Sequence, residues 1–371
     1  MANCCRFWTA SVLGVALLLV ASRVFSQELN APKRYEFSEE KMGVPTRLLF
    51  YAFSDEKAMV AAQAVWERFD ELNSILSDWD PESEIIQACR AIESSGERVA
   101  VSDDLRRALL ESRKYCELTR GAFDSTVSPI VKLWRRSRYF HERPPAKMLD
   151  AAKERVGLNV WNLDDDGLWA EKGVRFDVGG VAKGIALDEA LRILNDHEIT
   201  SALIDASGDL RIGDPPPDKD GWIVGVSSLG DEPAFYCELS NVGVATSGDA
   251  NRYVEIDGVR YSHIIDPRTG EPLTSRCVAT VLAPTATTAD ALASALCVLG
   301  PREAPEAFDE IRRQGVGNGE LSPFDYILIE VADNPSEGEP DVETLASPRF
   351  RELFDAARKE RTEASCSERR Q

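Results

Sequence analysis

Residues 177–194, DVGGVAKGIALDEALRIL, hold in one passage the change of pattern around which the chain is organised. The residues RFDV that lead into it read as a strand, GGVAKG as a Gly-rich loop, and residues 185–195 as a helix with apolar positions at helical spacing. Glycines between a strand and a helix N-terminus let backbone N–H groups approach an anion, and the helix dipole favours its charge. Lys183 adds a point charge at the same spot. The string matches neither the Walker pattern nor the Rossmann fingerprint, so by itself it suits an ordinary tight turn as well as a phosphate site. Asp177, at the strand end, can reach a ribose, a ring nitrogen or the lysine, or simply cap the helix.

Toward the N-terminus, a polar lead of about ten residues precedes a strand at 41–53 and an amphipathic helix at 55–75, with Ala58, Ala61, Ala62, Val65, Phe69 and Leu72 on one face. The turn LSDWDPESE follows, then a helix at 105–119 closed by Arg120-Gly121, where glycine suits a left-handed cap. FDSTVSPIVKLW opens a new element, and the basic stretch 135–150, with Pro144-Pro145, reads as an exposed connection into a short helix. Toward the C-terminus, strands are predicted at 201–206, 221–226, 235–239, 242–246, 253–256, 277–282 and 326–331. Helices are predicted at 288–299, ended by Gly300-Pro301, and at 304–313; beyond Phe350 the chain is charged and reads as a frayed helix or tail.

The 371 residues are 43% hydrophobic, ample for a sizeable core, and carry a net charge of −20. That charge repels a phosphodiester polymer, so no nucleic acid partner is expected, and an anionic ligand must be held by a divalent cation and backbone N–H groups. Residues 1–26 have the layout of a secretory signal: Arg6, an apolar run at 12–20, and Val24-Phe25-Ser26 before Gln27. The run is too short for a membrane span. An uncleaved signal left as an anchor is the alternative. Cys4 and Cys5 precede the run, so neither can be a lipidated cysteine, and no lipid anchor is expected. The protein is therefore expected to be exported, periplasmic or membrane-associated on the outer face of the inner membrane.

Cys89, Cys116, Cys237, Cys277, Cys297 and Cys366 show no paired ligand spacing, and several fall in apolar segments that suit buried free thiols. With 3 histidines, none spaced as a ligand pair, a zinc site of the N/S type lacks ligands, so any metal should be a hard ion bound by oxygen. In TADALASAL, Asp290 and Ser294 lie four apart on one helical face, where a carboxylate and a hydroxyl can both reach one cation. Alternatively Thr287 or Thr288 caps the helix, Asp290 favours its positive end, and Ser294 back-bonds to a carbonyl. HIIDPRTG, residues 263–270, sets His263 at a strand end before an Asp-Pro turn, as a general base or as a surface histidine. FDST, residues 123–126, reads as a cap built on Asp124 and Thr126 or as a contact to a base or ribose.

These clusters, in this order, resemble the ApbE family of FAD:protein FMN transferases. The resemblance runs from about residue 42 to 350, through MGVPTRL, LSDWDPESEI, GAFDSTVSPIVKLW, DVGGVAKGIALDEA, VATSGDANRYVEIDGVRYSHIIDPRTGEPL and TADALASALCVLG. It implies an α+β fold of mixed β-sheets flanked by helices, in a domain at 35–350 between the signal and a charged tail at 351–371. The implied reaction uses Mg2+ and FAD to attach FMN, through its phosphate, to a threonine of a partner protein with release of AMP. Position by position, the resemblance makes Met42, Trp79, Ala122, Phe123 and Asp124 walls of the FAD pocket, Trp79 standing where relatives usually have tyrosine. Asp177 and Lys183 would contact FAD as well. The Gly180 carbonyl, Asp290 and Ser294 would bind Mg2+, Ser294 replacing the usual threonine, and His263 would be the base. Ser207, in ASGD at 206–209, departs from a Gly-Gly pair common in relatives. Implied partners are exported flavoproteins with a target threonine, such as Nqr or Rnf-type subunits, or other FMN-binding domains. Hydrolysis of FAD to FMN and AMP, or flavin binding without catalysis, are the alternative functions.

Overall fold

The structure, a computed structural model, describes residues 31–248, 252–318, 324–331 and 342–368. The secretory-signal reading, 1–26, lies outside the described residues. Strands β1 (Lys33–Lys41) and β2 (Val44–Ala52) form a hairpin whose two-residue turn is Met42-Gly43, with φ of 51° and 73°. The stretch read as a polar lead running into one strand is thus two strands. The lead was obscured because β1 is an edge strand that offers the core only Tyr35 and Phe37, both packed near Phe50, among charges.

The other strands are β3 (Trp161–Asp164), β4 (Gly167–Ala170), β5 (Ala202–Ala206), β6 (Asp209–Ile212), β7 (Trp222–Val226), β8 (Phe235–Leu239), β9 (Val242–Gly248), β10 (Tyr253–Ile256), β11 (Val259–Ser262), β12 (Arg276–Ala283), β13 (Asp325–Val331) and β14 (Val342–Ala346). An eight-stranded sheet runs in the order β1-β2-β5-β6-β9-β12-β13-β14, while β3-β4, β7-β8 and β10-β11 pair as separate hairpins. Each neighbouring pair in the large sheet is antiparallel, and a parallel contact occurs at the single bridge Ser201–Asp214. The helices are α1 (Asp55–Leu76), α2 (Glu84–Ser95), α3 (Asp103–Leu118), α4 (Ser128–Phe140), α5 (Ala146–Lys153), α6 (Gly179–Asp196), α7 (Ala286–Asn318) and α8 (Pro348–Glu368). The class is α+β, as expected.

Both faces of the sheet are covered, because adjacent residues of its central strands point into different cores. Ile204, Ala245, Ala279 and Val281 meet α1, α6 and α7 in the main core. Leu203, Val244, Val278 and Leu282 meet the β7-β8 hairpin and Phe350 of α8 in a second one. A third cluster joins Ile130 and Trp134 of α4 to Val254, Ile256 and Tyr261 of the β10-β11 hairpin. In α7 the non-helical Gly300, φ 60° and ψ −175°, separates the two predicted helices.

Three further expectations are corrected. RFDV pairs with no strand: Val174, Phe176 and Val178 alternate into the core as a strand would, but the Asp177 amide bonds the Ser125 carbonyl at 2.7 Å instead of a ladder. The helix begins at Gly179, so GGVAKG is its first turns and not a loop. The stretch 135–150 is no simple connection either, since residues 135–140 end α4, a helix opened by Pro129 in its first turn.

Candidate active site

Helices α6 and α7 and strand β9 meet at unusually short range. A Cβ on Gly184 would lie 2.5 Å from the Thr287 Cα, and one on Gly243 would lie 2.3 Å from the Ala286 amide nitrogen. Gly184 therefore serves backbone packing, not the approach of an anion. The junction is held by Asp188 of α6, which accepts from the amides of Ala286 and Thr287 at 2.9 and 3.0 Å and from the Thr287 hydroxyl at 2.7 Å. The N-terminus of α7 is thus capped mainly from another helix, with Thr285 accepting locally from the Thr288 amide at 3.1 Å.

This capping leaves Asp290 and Ser294 for other partners. Asp290 is buried and accepts from the Gly184 amide at 3.2 Å, a donor that a regular helix directs onto the Gly180 carbonyl. Ser294 shares a hydrogen bond of 3.1 Å with Ser247 of β9. Lys183 pairs with Asp209, whose other oxygen accepts from the Thr246 amide at 3.0 Å. Burial pushes the Asp290 carboxyl up to about 7, against the pull of Lys183 and with the help of Asp209. Burial works to lower the Lys183 pKa, but the charges of Asp290 and Asp209 outweigh it and hold the ammonium above its ordinary range. One cation therefore serves two carboxylates.

The donor set fits a hard cation. A carboxylate, a hydroxyl and the Gly180 carbonyl are all oxygens, and the buried carboxylate is charged only at a cost that a cation would offset. No group of three or more His, Cys, Asp and Glu able to hold a metal occurs among the described residues. Such an ion would take its remaining ligands from water and substrate phosphate, as Mg2+ commonly does.

A second group faces the start of α6. The Arg135 guanidinium of α4 lies 3.9 Å over the Trp79 ring, donates to Asp78 at 3.0 Å and stands 3.7 Å from Asp177. Trp79 is 74% exposed, so its outer face is open to a planar ligand. Asp177 accepts from the Gly179 amide at 3.0 Å, and burial followed by the Asp78 charge raises its pKa. It thus satisfies the first amide of α6 from one position before the N-cap, which is Val178. Phe123 and Ala122 are buried, and the Phe123 ring fills the space where a Gly180 Cβ would sit, at 2.7 Å. Asp124 accepts from the Thr126 amide and hydroxyl at 2.8 and 2.6 Å and so caps the short helix Ser125–Val127. It borders a cleft of about 520 Å³, with Arg120, Lys153 and Arg268, that does not reach Lys183, Asp290 or Trp79. Met42 is carried by the β1-β2 turn, its side chain against the main core.

His263 follows β11. Its backbone amide donates to the Arg252 carbonyl at 2.9 Å and its Nδ1 lies 3.2 Å from the same oxygen. A carbonyl only accepts, so this contact puts a ring proton on Nδ1. Arg252 is near enough to Lys183 for its charge to oppose the lysine's. Sequence reasoning overlooked Arg135, Asp78, Asp188 and Ser247; the spacing of Lys132, Arg135 and Arg138 along one helical face was the available sign for the first.

The ApbE family model matches residues 42–316. The chain belongs to the ApbE family. Among relatives it is similar to the FAD:protein FMN transferase of Klebsiella pneumoniae (strain 342), 29% identical over 93% of this chain and 97% of that one. It is also similar to the FAD:protein FMN transferase of Treponema pallidum (strain Nichols), 31% identical over 81% of this chain and 87% of that one. Among solved structures, the apo form of the Pseudomonas stutzeri flavinyl transferase ApbE superposes with a TM-score of 0.73 at 25% identity, covering 87% of this chain and 98% of that one. Within this ApbE fold, the junction of α6, α7 and β9 gathers Gly180, Lys183, Asp290 and Ser294, while the Trp79 and Arg135 group flanks the same helix start.

Proposed function

We propose that the chain is a Mg2+-dependent FAD:protein FMN transferase that joins FMN, through its phosphate, to a threonine of an acceptor flavoprotein and releases AMP. The observation that carries this reading is the buried Asp290 carboxyl, raised to about 7 beside Lys183 and one turn from the Ser294 hydroxyl. The names of the relatives supply the reaction class.

Asp290, Ser294 and the Gly180 carbonyl would hold Mg2+, which when bound neutralises charge on the pyrophosphate of FAD. Trp79 offers its open face for stacking to a ring of the substrate, and Arg135 fixes that indole from behind. Lys183 adds a positive charge near the phosphates. The acceptor threonine's Oγ forms a bond to the phosphorus on the FMN side. The bond from that phosphorus to the bridging oxygen breaks, and AMP leaves with the electron pair. His263 takes the threonine proton. The remaining pocket residues, Met42, Ala122, Phe123, Asp124 and Asp177, belong to the same proposal as walls of the FAD pocket.

The test is incubation of the mature protein with FAD and Mg2+, with and without an FMN-binding acceptor domain of the Nqr or Rnf type, following AMP and the acceptor's mass. AMP with an acceptor heavier by one FMN is the expected result. AMP with free FMN and an unmodified acceptor would replace the transferase by a hydrolase; no AMP would leave a binding protein. Export belongs to the same proposal, on the signal-like layout of residues 1–26. An N-terminus at Gln27 in periplasmic protein is expected, and Met1 in the cytoplasmic fraction would refute it.

A further inference from the structure

Helix α7 runs along β9 at close range from its first turn. Gly243 of β9 meets the start of the helix, where a Cβ would lie 2.3 Å from the Ala286 amide nitrogen. From Gly243 to Ser247 the strand advances about 13 Å, and from Ala286 to Ser294 the helix advances about 12 Å, so Ser247 arrives opposite Ser294. Ala245 packs in the main core with α7, and side chains alternate along a strand, so Ser247 points to that same face. Pairing with Ala279 of β12 holds it in register. Two contacts result. The Ser247 hydroxyl lies 3.1 Å from that of Ser294, and the Ser247 carbonyl accepts from the Cys297 thiol at 3.5 Å, on the same face of α7.

The first of these contacts sets Ser294 apart from other helical hydroxyls. A serine or threonine on a helix commonly bonds the carbonyl one turn back. Ser112 in α3 and Thr119 at its end do so, donating to the carbonyls of Ala108 and Tyr115 at 2.8 and 2.7 Å. Such a bond at Ser294 would hold its oxygen against its own helix. Among the described residues its hydroxyl bonds Ser247 on the neighbouring strand instead. A hydroxyl oxygen that lends a lone pair to a cation keeps its proton, becomes a stronger donor and needs an acceptor outside the metal's shell. Ser247 Oγ stands where that acceptor is required. Asp290 is held in the same manner from a different element, by the Gly184 amide of α6.

We infer that Ser247 is a positioning residue for the metal. Its Oγ accepts the Ser294 proton and so leaves the Ser294 lone pairs to the cation that Asp290 shares. The role rests on the metal assignment within the flavin transferase reading and adds to it the group that orients one of the ligands. Ser247 itself need not touch metal or substrate. Its effect on metal affinity must therefore pass through the Ser294 hydroxyl and vanish when that hydroxyl is absent.

The full-length protein is titrated with Mn2+, free ion being followed by electron paramagnetic resonance, for the unaltered chain, Ser247→Ala, Ser294→Ala, the double variant and Asp290→Ala. Ser247→Ala is expected to weaken binding about tenfold, the usual scale for loss of a group that orients a metal ligand. Ser294→Ala should weaken it at least as much, and the double variant should bind as Ser294→Ala does. A Ser247→Ala protein that binds Mn2+ as tightly as the unaltered chain would overturn the positioning role alone. A double variant weaker than Ser294→Ala by the full Ser247→Ala factor would also overturn it alone, as the mark of an effect on packing that does not pass through Ser294. Unaltered chain that binds no Mn2+, or that binds it no better than Asp290→Ala, would remove the metal assignment and the positioning role together.

Discussion

Asp290 has the most consequential environment of any single residue in the candidate site. Its folded-state pKa is raised by burial to about 7, well above an ordinary aspartate. A carboxyl raised in this way contributes stability that is complete below the unfolded value near 4 and is lost as pH rises through the folded one. Metal-free protein is therefore expected to lose up to about 1.4 kcal/mol per pH unit between those limits. Asp290→Asn should flatten the profile, and a denaturation series from pH 4 to 8 reads both. Added Mg2+ should reverse the loss at high pH, since a cation needs the charged form; an Asp290→Asn profile as steep as the parent's would show that another group is responsible. Asp290 and Ser294 were legible as a pair because four residues along a helix always share a face. Their actual partners, the Gly184 amide and the Ser247 hydroxyl, come from elements about a hundred and about fifty residues away in the chain, and no local pattern encodes them.

Among the elements, two turns and crossings decide what the site can be. The crossing of α6 and α7 tolerates no side chain at Gly184. Gly184→Ala should cost on the order of 3 kcal/mol, the strain of overpacking against rigid backbone exceeding the gain in helix propensity. An unshifted denaturation midpoint would mean that the two helices are free to part. The β5-β6 turn behaves in the opposite sense. Ser207 sits at φ 57° ahead of Gly208 at φ 99°, so a residue with a Cβ occupies a left-handed position that glycine takes without penalty. Ser207→Gly is expected to stabilise the fold by about 1 kcal/mol, measurable by urea titration. No gain would mean that the serine makes an offsetting contact. Strand and helix periods were readable where one face was buried, as in β8 and β10, whose predicted bounds coincide with the observed ones. They misled at RFDV, where alternation into the core occurs without any strand to pair with.

At the scale of the whole molecule, the second core gives the C-terminal region a structural part. Phe350 is fully buried, and Leu353, Phe354 and Ala357 of α8 pack against the same cluster, Phe354 lying 6.5 Å from the Phe235 ring. Ending the chain after Phe350 should destabilise it by roughly 2 kcal/mol through the apolar area returned to water. A truncated protein that unfolds at the same denaturant concentration as the parent would contradict this. The buried Cys89, Cys116, Cys237, Cys277 and Cys297 are free thiols, so these layers rest on packing and hydrogen bonds.

The order and content of the polar clusters, read along the chain, already determined the family, the α+β class and most candidate residues, because a resemblance spread over many separated motifs does not depend on knowing their contacts. Helical spacing likewise determined that Asp290 and Ser294 share one face. Only the tertiary structure decided that Arg135 reaches Trp79, Asp78 and Asp177, that Asp188 caps α7 from α6, and that the glycine at 184 serves a helix crossing. Each of these depends on distance and burial between remote segments. Charge and packing act through space, whereas a sequence pattern reports only what neighbours along one element share.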